Sequence, residues 1–154
     1  MEKMNEKIQL ESNIPSEICK IIYEQAANNE HYDKVFRVAK WGQSSDRTFL
    51  STYSEIENEY IPDNEERYPK DDIGTYSTSV YTEVKPCDKF IKSLRRKTLK
   101  KLYPNPLILV GTTSKGLVQR TIDREIDYLD PTHIDWWIYR GKMQEVAKDF
   151  KVYE

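Results

Sequence analysis

The chain reads as an α+β fold, small mixed or antiparallel twisted sheets with flanking helices. Three observations predict it. Short runs rich in β-branched and aromatic residues recur at Val35 to Trp41, Thr75 to Tyr81, Leu107 to Val110 and Thr132 to Tyr139, the composition of strands. Two stretches of helical period stand among them, one beginning at Asn13 and one after Pro86. The length of 154 residues fits a single domain able to bury a core without disulfides or a structural metal.

Residues 1 to 12 are polar and read as a flexible arm preceding one domain over 13 to 154. Pro15 and Glu17 suit a first helical turn. Ile14, Ile18, Ile21, Ile22 and Ala26 then fall at i, i+4, i+7, i+8 and i+12, which predicts an amphipathic helix ending near Asn28-Asn29. In the strand from Val35, Arg37 shares a side with Val35, Ala39 and Trp41, opposite Phe36 and Val38. A permanent cation in such a strand needs a partner, either an internal carboxylate or a ligand phosphate. Thr52 with Glu55 matches a capping box for a short helix over Tyr53 to Tyr60. Ser54 to Asp72 then carries eight acidic residues against two basic ones, a solvated acidic lobe, a partner surface or a lid.

Alternation in the second strand sets Thr75, Ser77, Ser79 and Tyr81 opposite Tyr76, Thr78 and Val80. The helix after Pro86 is expected to reach Leu102, with Lys89, Lys92, Arg95, Arg96, Lys97, Lys100 and Lys101 on its exposed side. A cationic face of this kind can follow a nucleic acid backbone. The interleaved aromatic residues of a single-strand reader are missing and the net charge is -2, so nucleic acid is not the expected partner. Leu107 to Val110 reads as a strand buried on both faces. It leads into Gly111-Thr112-Thr113-Ser114-Lys115-Gly116, whose backbone N–H groups could cradle a phosphate with Lys115 as a point charge. Leu117 to Asp130, which includes Gln119 and Arg120, reads as a loop or short helix. A short helix around Met143 to Ala147 and a last strand with Phe150 and Val152 complete the chain.

Composition excludes several classes. With 38% hydrophobic residues and no apolar run near the roughly 20 residues of a transmembrane helix, the expected setting is soluble and cytoplasmic, without a membrane partner. Cys19 and Cys87 belong to no Cys-x-x-Cys pair or zinc-ligand cluster and read as reduced packing residues, so no metal is expected. Eleven tyrosines and three tryptophans are many for this length, and amphipathic rings suit binding surfaces.

The stretch richest in chemistry is Thr132 to Tyr139. Strand alternation puts Ile134, Trp136 and Ile138 on a core face, and His133, Asp135, Trp137 and Tyr139 on the other. A His and a carboxylate followed by two aromatic rings can hold a flat or ribose-bearing ligand by hydrogen bonds and stacking.

In order along the chain, these parts resemble the Arg/Ser-Thr-Ser/Glu class of ADP-ribosyltransferases. The matching positions over residues 33 to 153 are Arg37 on its strand, Ser77-Thr78-Ser79 followed by the helix from Pro86, and Leu107 to Gly116. His133-Ile134-Asp135 stands where the family has Glu-x-Glu. The resemblance implies an α+β fold of that type and NAD, as substrate, or another nucleotide as ligand. Arg37 would grip the pyrophosphate, Ser77, Thr78 and Ser79 would order the ribose, and Asp135 would stabilise an oxocarbenium-like transition state with His133 orienting the ribose or activating an acceptor. Asp135 is one methylene shorter than the family's Glu, which bears on geometry.

Three readings follow. The protein cleaves the nicotinamide glycosidic bond of NAD and transfers to an acceptor. Alternatively it binds a nucleotide without chemistry, with phosphates on Arg37, Lys115 and Arg120 and bases on Trp136 or Trp137 and Tyr139, as a phage or mobile-element protein sequestering a signal nucleotide would. In the third it is an inhibitor or adaptor whose charged segments engage a partner protein.

Overall fold

The computed structural model describes residues 9–154. Residues 1–8 of the expected arm lie outside the described residues. The remainder of the arm is docked: Leu10 is buried and bridges Tyr139, and the Arg140 Nε donates to the Leu10 carbonyl at 2.9 Å.

The strands are β1 (Val35–Ala39), β2 (Thr78–Tyr81), β3 (Leu107–Gly111), β4 (Gly116–Arg120), β5 (His133–Ile138) and β6 (Lys151–Val152). They form one six-stranded sheet in the order β4-β5-β2-β1-β3-β6, and every neighbouring pair is antiparallel. The helices are α1 (Ser16–Ala26), α2 (Thr52–Glu57), α3 (Lys85–Leu94), α4 (Lys97–Lys100), α5 (Thr121–Arg124) and α6 (Met143–Asp149). Among the described residues no helix is long and apolar enough to cross a membrane.

Alternation gives each sheet face its own core. One face presents Val35, Ala39, Val80, Leu109, Val118, Ile134 and Trp136, which pack with Phe49, Val146 of α6 and Phe150. Trp136 stacks on Phe150 with ring centroids 5.8 Å apart. The opposite face is covered at two places. There Ile14 and, from α1, Ile18, Ile22 and Ala26 pack with Leu117 and Trp137, while α3 sets Cys87, Ile91 and Leu94 against Phe36 and Val38. The strip between α1 and α3 lacks an apolar cover, and the polar residues of β2 and β5 fall there.

Several expected elements differ in the structure. Gly116 to Arg120 is a strand, not loop or helix; its apolar signal is only Leu117 and Val118, and pairing along β5 from Gly116↔Ile138 to Arg120↔Ile134 supplies the rest. The expected helix over Pro86 to Leu102 breaks at Arg95-Arg96 into α3 and α4. Leu94 and Leu99 are five positions apart, off the helical stripe, so one continuous helix could not bury both on one side. The N-cap of α2 is Ser51, whose hydroxyl accepts from the Ser54 N–H at 3.1 Å, whereas Glu55 turns inward to the Lys40 ammonium at 3.0 Å and no Thr52–Glu55 box forms. Thr75 and Tyr76 belong to a 3-10 turn (Ile73–Tyr76) before β2. In β3 only Leu109 is fully buried, because β6 pairs with just Leu109 and Val110.

Candidate functional site

Register builds the site. β2 and β5 pair Ser79 with Asp135 and Tyr81 with His133, so these four side chains share the face between α1 and α3. β4 pairs Gln119 with Asp135 and widens the same strip. The turn preceding β2 adds Ser77, and α5, directly after β4, adds Thr121 and Arg124.

Asp135 is 3% exposed and both carboxylate oxygens have donors. Oδ1 accepts from the Ser77 hydroxyl at 2.8 Å; Oδ2 accepts from the Thr121 hydroxyl at 3.0 Å and from Arg124 Nη2 at 2.7 Å. Arg124 is itself held by the Gln119 Oε1 at 2.7 Å and lies 3.3 Å from a Glu125 oxygen. A Cβ at Gly74 would stand 2.8 Å from Arg124 Nη2, so the bare backbone at Gly74 leaves the room this guanidinium crosses.

His133 lies between two hydroxyls, with Nδ1 2.5 Å from Thr121 Oγ1 and Nε2 2.9 Å from Ser79 Oγ. Thr121 has one proton, and it is directed to Asp135. Nδ1 of a neutral ring therefore donates to Thr121 and Nε2 accepts from Ser79. The rings of Tyr81 and Tyr128 each lie 5.2 Å from the imidazole, and Tyr128 brings the segment Glu125 to Thr132 over it.

Burial pulls the His133 pKa below its ordinary 6.5, against the opposing charges of Asp135 and Asp130. The folded value is the lower one, so the neutral ring's contribution to stability is full above 6.5 and is lost as pH falls through the folded value. Urea midpoints taken between about pH 7.5 and about pH 5 should fall more steeply for the wild type than for His133→Gln, which cannot gain the proton. Parallel curves would show that His133 does not titrate in this window.

Of the residues singled out in the sequence, His133, Asp135, Ser77 and Ser79 come together. The others do not. Phe36 is registered on Tyr81, and Tyr81 on His133, so Arg37 belongs by alternation to the opposite face from Asp135. Its Nε donates to the Thr48 carbonyl at 3.0 Å and its Nη1 to the Ser79 carbonyl at 2.8 Å; its partners are backbone oxygens rather than a carboxylate. Thr78 turns away to donate to the Phe49 carbonyl at 2.8 Å. Trp137 is buried under α1, its indole N–H donating to the Ile73 carbonyl at 3.0 Å, and Tyr139 packs at the edge of that cluster.

The Gly111 to Gly116 segment binds the chain itself. Thr113 N–H donates to the Tyr32 carbonyl at 3.1 Å, Thr113 Oγ1 accepts from the Tyr32 N–H at 2.9 Å, and Lys115 pairs with Asp149 at 3.0 Å. Arg120 forks onto Asp123 at 2.7 and 3.1 Å, beside a cleft of about 300 Å³ at the outer edge of β4 that His31, Tyr32 and Gln119 also line.

Thr121, Arg124, Gln119 and Tyr128 are members of the network that sequence reasoning did not select. The available signal was that Leu117 and Gln119 alternate in phase with Trp137 and Asp135, which required recognising β4 as a strand. Among the described residues no group of His, Cys, Asp and Glu side chains is placed to hold a metal ion. Cys19 and Cys87 are free thiols; burial, opposed by the Arg37 cation, pushes Cys87 up to about 12.

Comparison with protein-family models, curated proteins and solved structures finds no significant match for the chain.

Proposed function

We propose that the chain is an ADP-ribosyltransferase-like protein that binds NAD or a related nucleotide at the strip formed by Ser77, Ser79, His133 and Asp135. The observation that carries this reading is the registration of the Ser-Thr-Ser strand directly on the His-x-Asp strand, with the Arg37 strand as its other neighbour in the sheet. Ser77, Ser79, His133 and Asp135, far apart in the chain, thereby become adjacent, whereas Arg37, which the resemblance sets beside Asp135, lies on the other sheet face. In this reading Arg37 is a positioning residue. Its bond to the Ser79 carbonyl fixes β2 instead of gripping a pyrophosphate.

The state of Asp135 favours binding over bond cleavage. A carboxylate that stabilises a developing sugar cation needs an oxygen free to face it, and both oxygens of Asp135 carry internal donors, one of them the Arg124 cation. A ribose hydroxyl can replace Ser77 or Thr121 as donor while Arg124 stays. Cleavage would set the sugar cation against a carboxylate whose charge the Arg124 cation already offsets at Oδ2. Entry to the strip requires the Glu125 to Thr132 segment to carry Tyr128 off His133.

A proton NMR time course of NAD with the purified chain tests this reading, with Ser79→Ala as the comparison. NAD resonances should broaden with the wild type, affinity should drop about tenfold in the variant through loss of one polar contact, and no free nicotinamide should form. Nicotinamide release that disappears in Asp135→Asn would make the protein an NAD-cleaving enzyme. No broadening with NAD, or with a panel of linear and cyclic nucleotides, would overturn the nucleotide reading.

A further inference from the structure

The sheet leaves a gap where β2 begins. β2 starts at Thr78, opposite Trp136, while β5 runs on to Ile138, so Trp137 and Ile138 extend past their pairing with β2. The chain near Ser51 crosses that end, with the Thr52 N–H donating to the Ser77 carbonyl at 3.2 Å. What remains is a cavity of about 100 Å³. Neighbours on a strand point to opposite faces, and Trp137 and Ile138 belong to different apolar cores, so the cavity sits at the seam between them. Its lining is apolar at Trp137, Ile138 and Met143 and polar at Glu11, Ser51 and Ser54.

The polar side is incompletely paired. Glu11 is half-buried, and among the described residues its carboxylate has no hydrogen-bond donor and no ion-pair partner. Burial raises its pKa against the charge of Arg140, whose guanidinium is committed to the Leu10 carbonyl at 2.9 Å and the Gln9 Oε1 at 3.0 Å. The Ser51 and Ser54 hydroxyls bond to each other at 3.2 Å, Ser51 Oγ also accepts from the Ser54 N–H, and Ser54 Oγ also accepts from Asn13 Nδ2 at 2.9 Å. In either direction of the shared bond one oxygen lone pair stays without a donor. A half-buried carboxylate and a spare lone pair call for a cationic donor, and the apolar wall calls for an alkyl body. Cavities of about 150 Å³ hold benzene, so this one takes about four or five non-hydrogen atoms.

We propose that this cavity binds a primary alkylammonium group, its alkyl body against Trp137, Ile138 and Met143 and its nitrogen shared by Glu11 and the serine pair. A lysine side chain of a partner protein and the end of a free aliphatic amine carry this same chemistry. The cavity lies at the far end of β5 from His133, and the inference does not depend on the nucleotide reading.

An amide NMR titration of the full chain with n-butylammonium tests it, read at the Ser51 and Ser54 amides and the Trp137 indole N–H. The shifts should saturate with a millimolar dissociation constant, and n-butanol, of the same length without the charge, should bind at least tenfold more weakly. Glu11→Gln should weaken butylammonium at least tenfold and leave butanol unchanged. A lysine blocked at both ends and free putrescine separate the two sources: tighter binding of the first assigns the cavity to a partner's side chain, tighter binding of the second to a free amine. No saturable shift at these groups up to about 50 mM butylammonium overturns the site. Butanol binding as tightly as butylammonium, or a Glu11→Gln chain that binds butylammonium like the wild type, overturns the ammonium assignment.

Discussion

Asp135→Ala is expected to lower the unfolding free energy by about 3 kcal/mol, the lower end of the range for breaking a buried ion pair. The loss is not the value of the Arg124 contact alone. Removing the carboxylate takes the acceptor from the Thr121 hydroxyl and the Arg124 guanidinium in a strip where Thr121 is 2% exposed, while the Ser77 hydroxyl keeps the Gly74 carbonyl at 2.8 Å. Arg124 has some relief, because Glu125 and Asp72 lie 3.3 and 4.0 Å from it, and this keeps the cost from the upper end. The measurement is a double-mutant cycle in urea with Arg124→Met. Removing both partners should recover at least about 1 kcal/mol relative to the sum of the single variants, since no buried charge is then left alone. Additive single losses would show that the pair is not coupled. With typical domains stable by about 5–15 kcal/mol, Asp135→Ala would remain largely folded, which lets the same variant be assayed for nucleotide affinity.

How much of this was legible in the chain depends on which physical signal each element carried. β5 was legible because six consecutive residues alternate between core and strip, and the structure keeps that sorting: Ile134 and Trp136 lie in one core, while His133 and Asp135 face the strip. The convergence of Ser77 and Ser79 with that strand followed from the same alternation in the segment before and within β2. α1 was legible from its apolar stripe, with ends trimmed to Ser16–Ala26. Failures occurred where tertiary pairing outweighed a weak local pattern. β4 has too few apolar residues to announce itself, and losing it hid Gln119, Thr121 and Arg124, the residues that determine the state of Asp135. Glu55 had the spacing of a capping partner, but a buried Lys40 with a charge to neutralise is a stronger partner than an N-terminal backbone amide. Arg37 was correctly marked as a cation needing partners. Both proposed kinds, carboxylate and phosphate, missed that backbone carbonyls at the sparse β1–β2 pairing, registered only at Phe36↔Tyr81, could serve.

Trp137 separates a ligand platform from a packing residue most sharply. Alternation placed it on the face of His133 and Asp135, where a ring could stack on a base, and it does lie on that face. Yet α1 and the turn before β2 cover it: the ring is 1% exposed and packs with Ile14, Ile18, Ile22, Leu117 and Tyr76. Trp137→Ala is therefore expected to cost about 3–5 kcal/mol, the range for emptying a large aromatic site in a core. That loss would approach the whole stability of a modest domain, so the variant should melt well below the wild type and populate unfolded chain at room temperature. Trp137→Phe keeps most of the volume but leaves the Ile73 carbonyl without its 3.0 Å donor, for a loss of about 1–3 kcal/mol. The pair of variants is read by thermal unfolding together with intrinsic fluorescence. A Trp137→Ala chain as stable as the wild type but with weakened nucleotide binding would place the ring in the ligand site and move the strip's boundary toward α1. Destabilisation in the order Ala greater than Phe would show that the helix packed on Trp137 closes the strip at that end, which leaves Tyr81, Tyr128 and the Glu125 to Thr132 segment as the cover over His133.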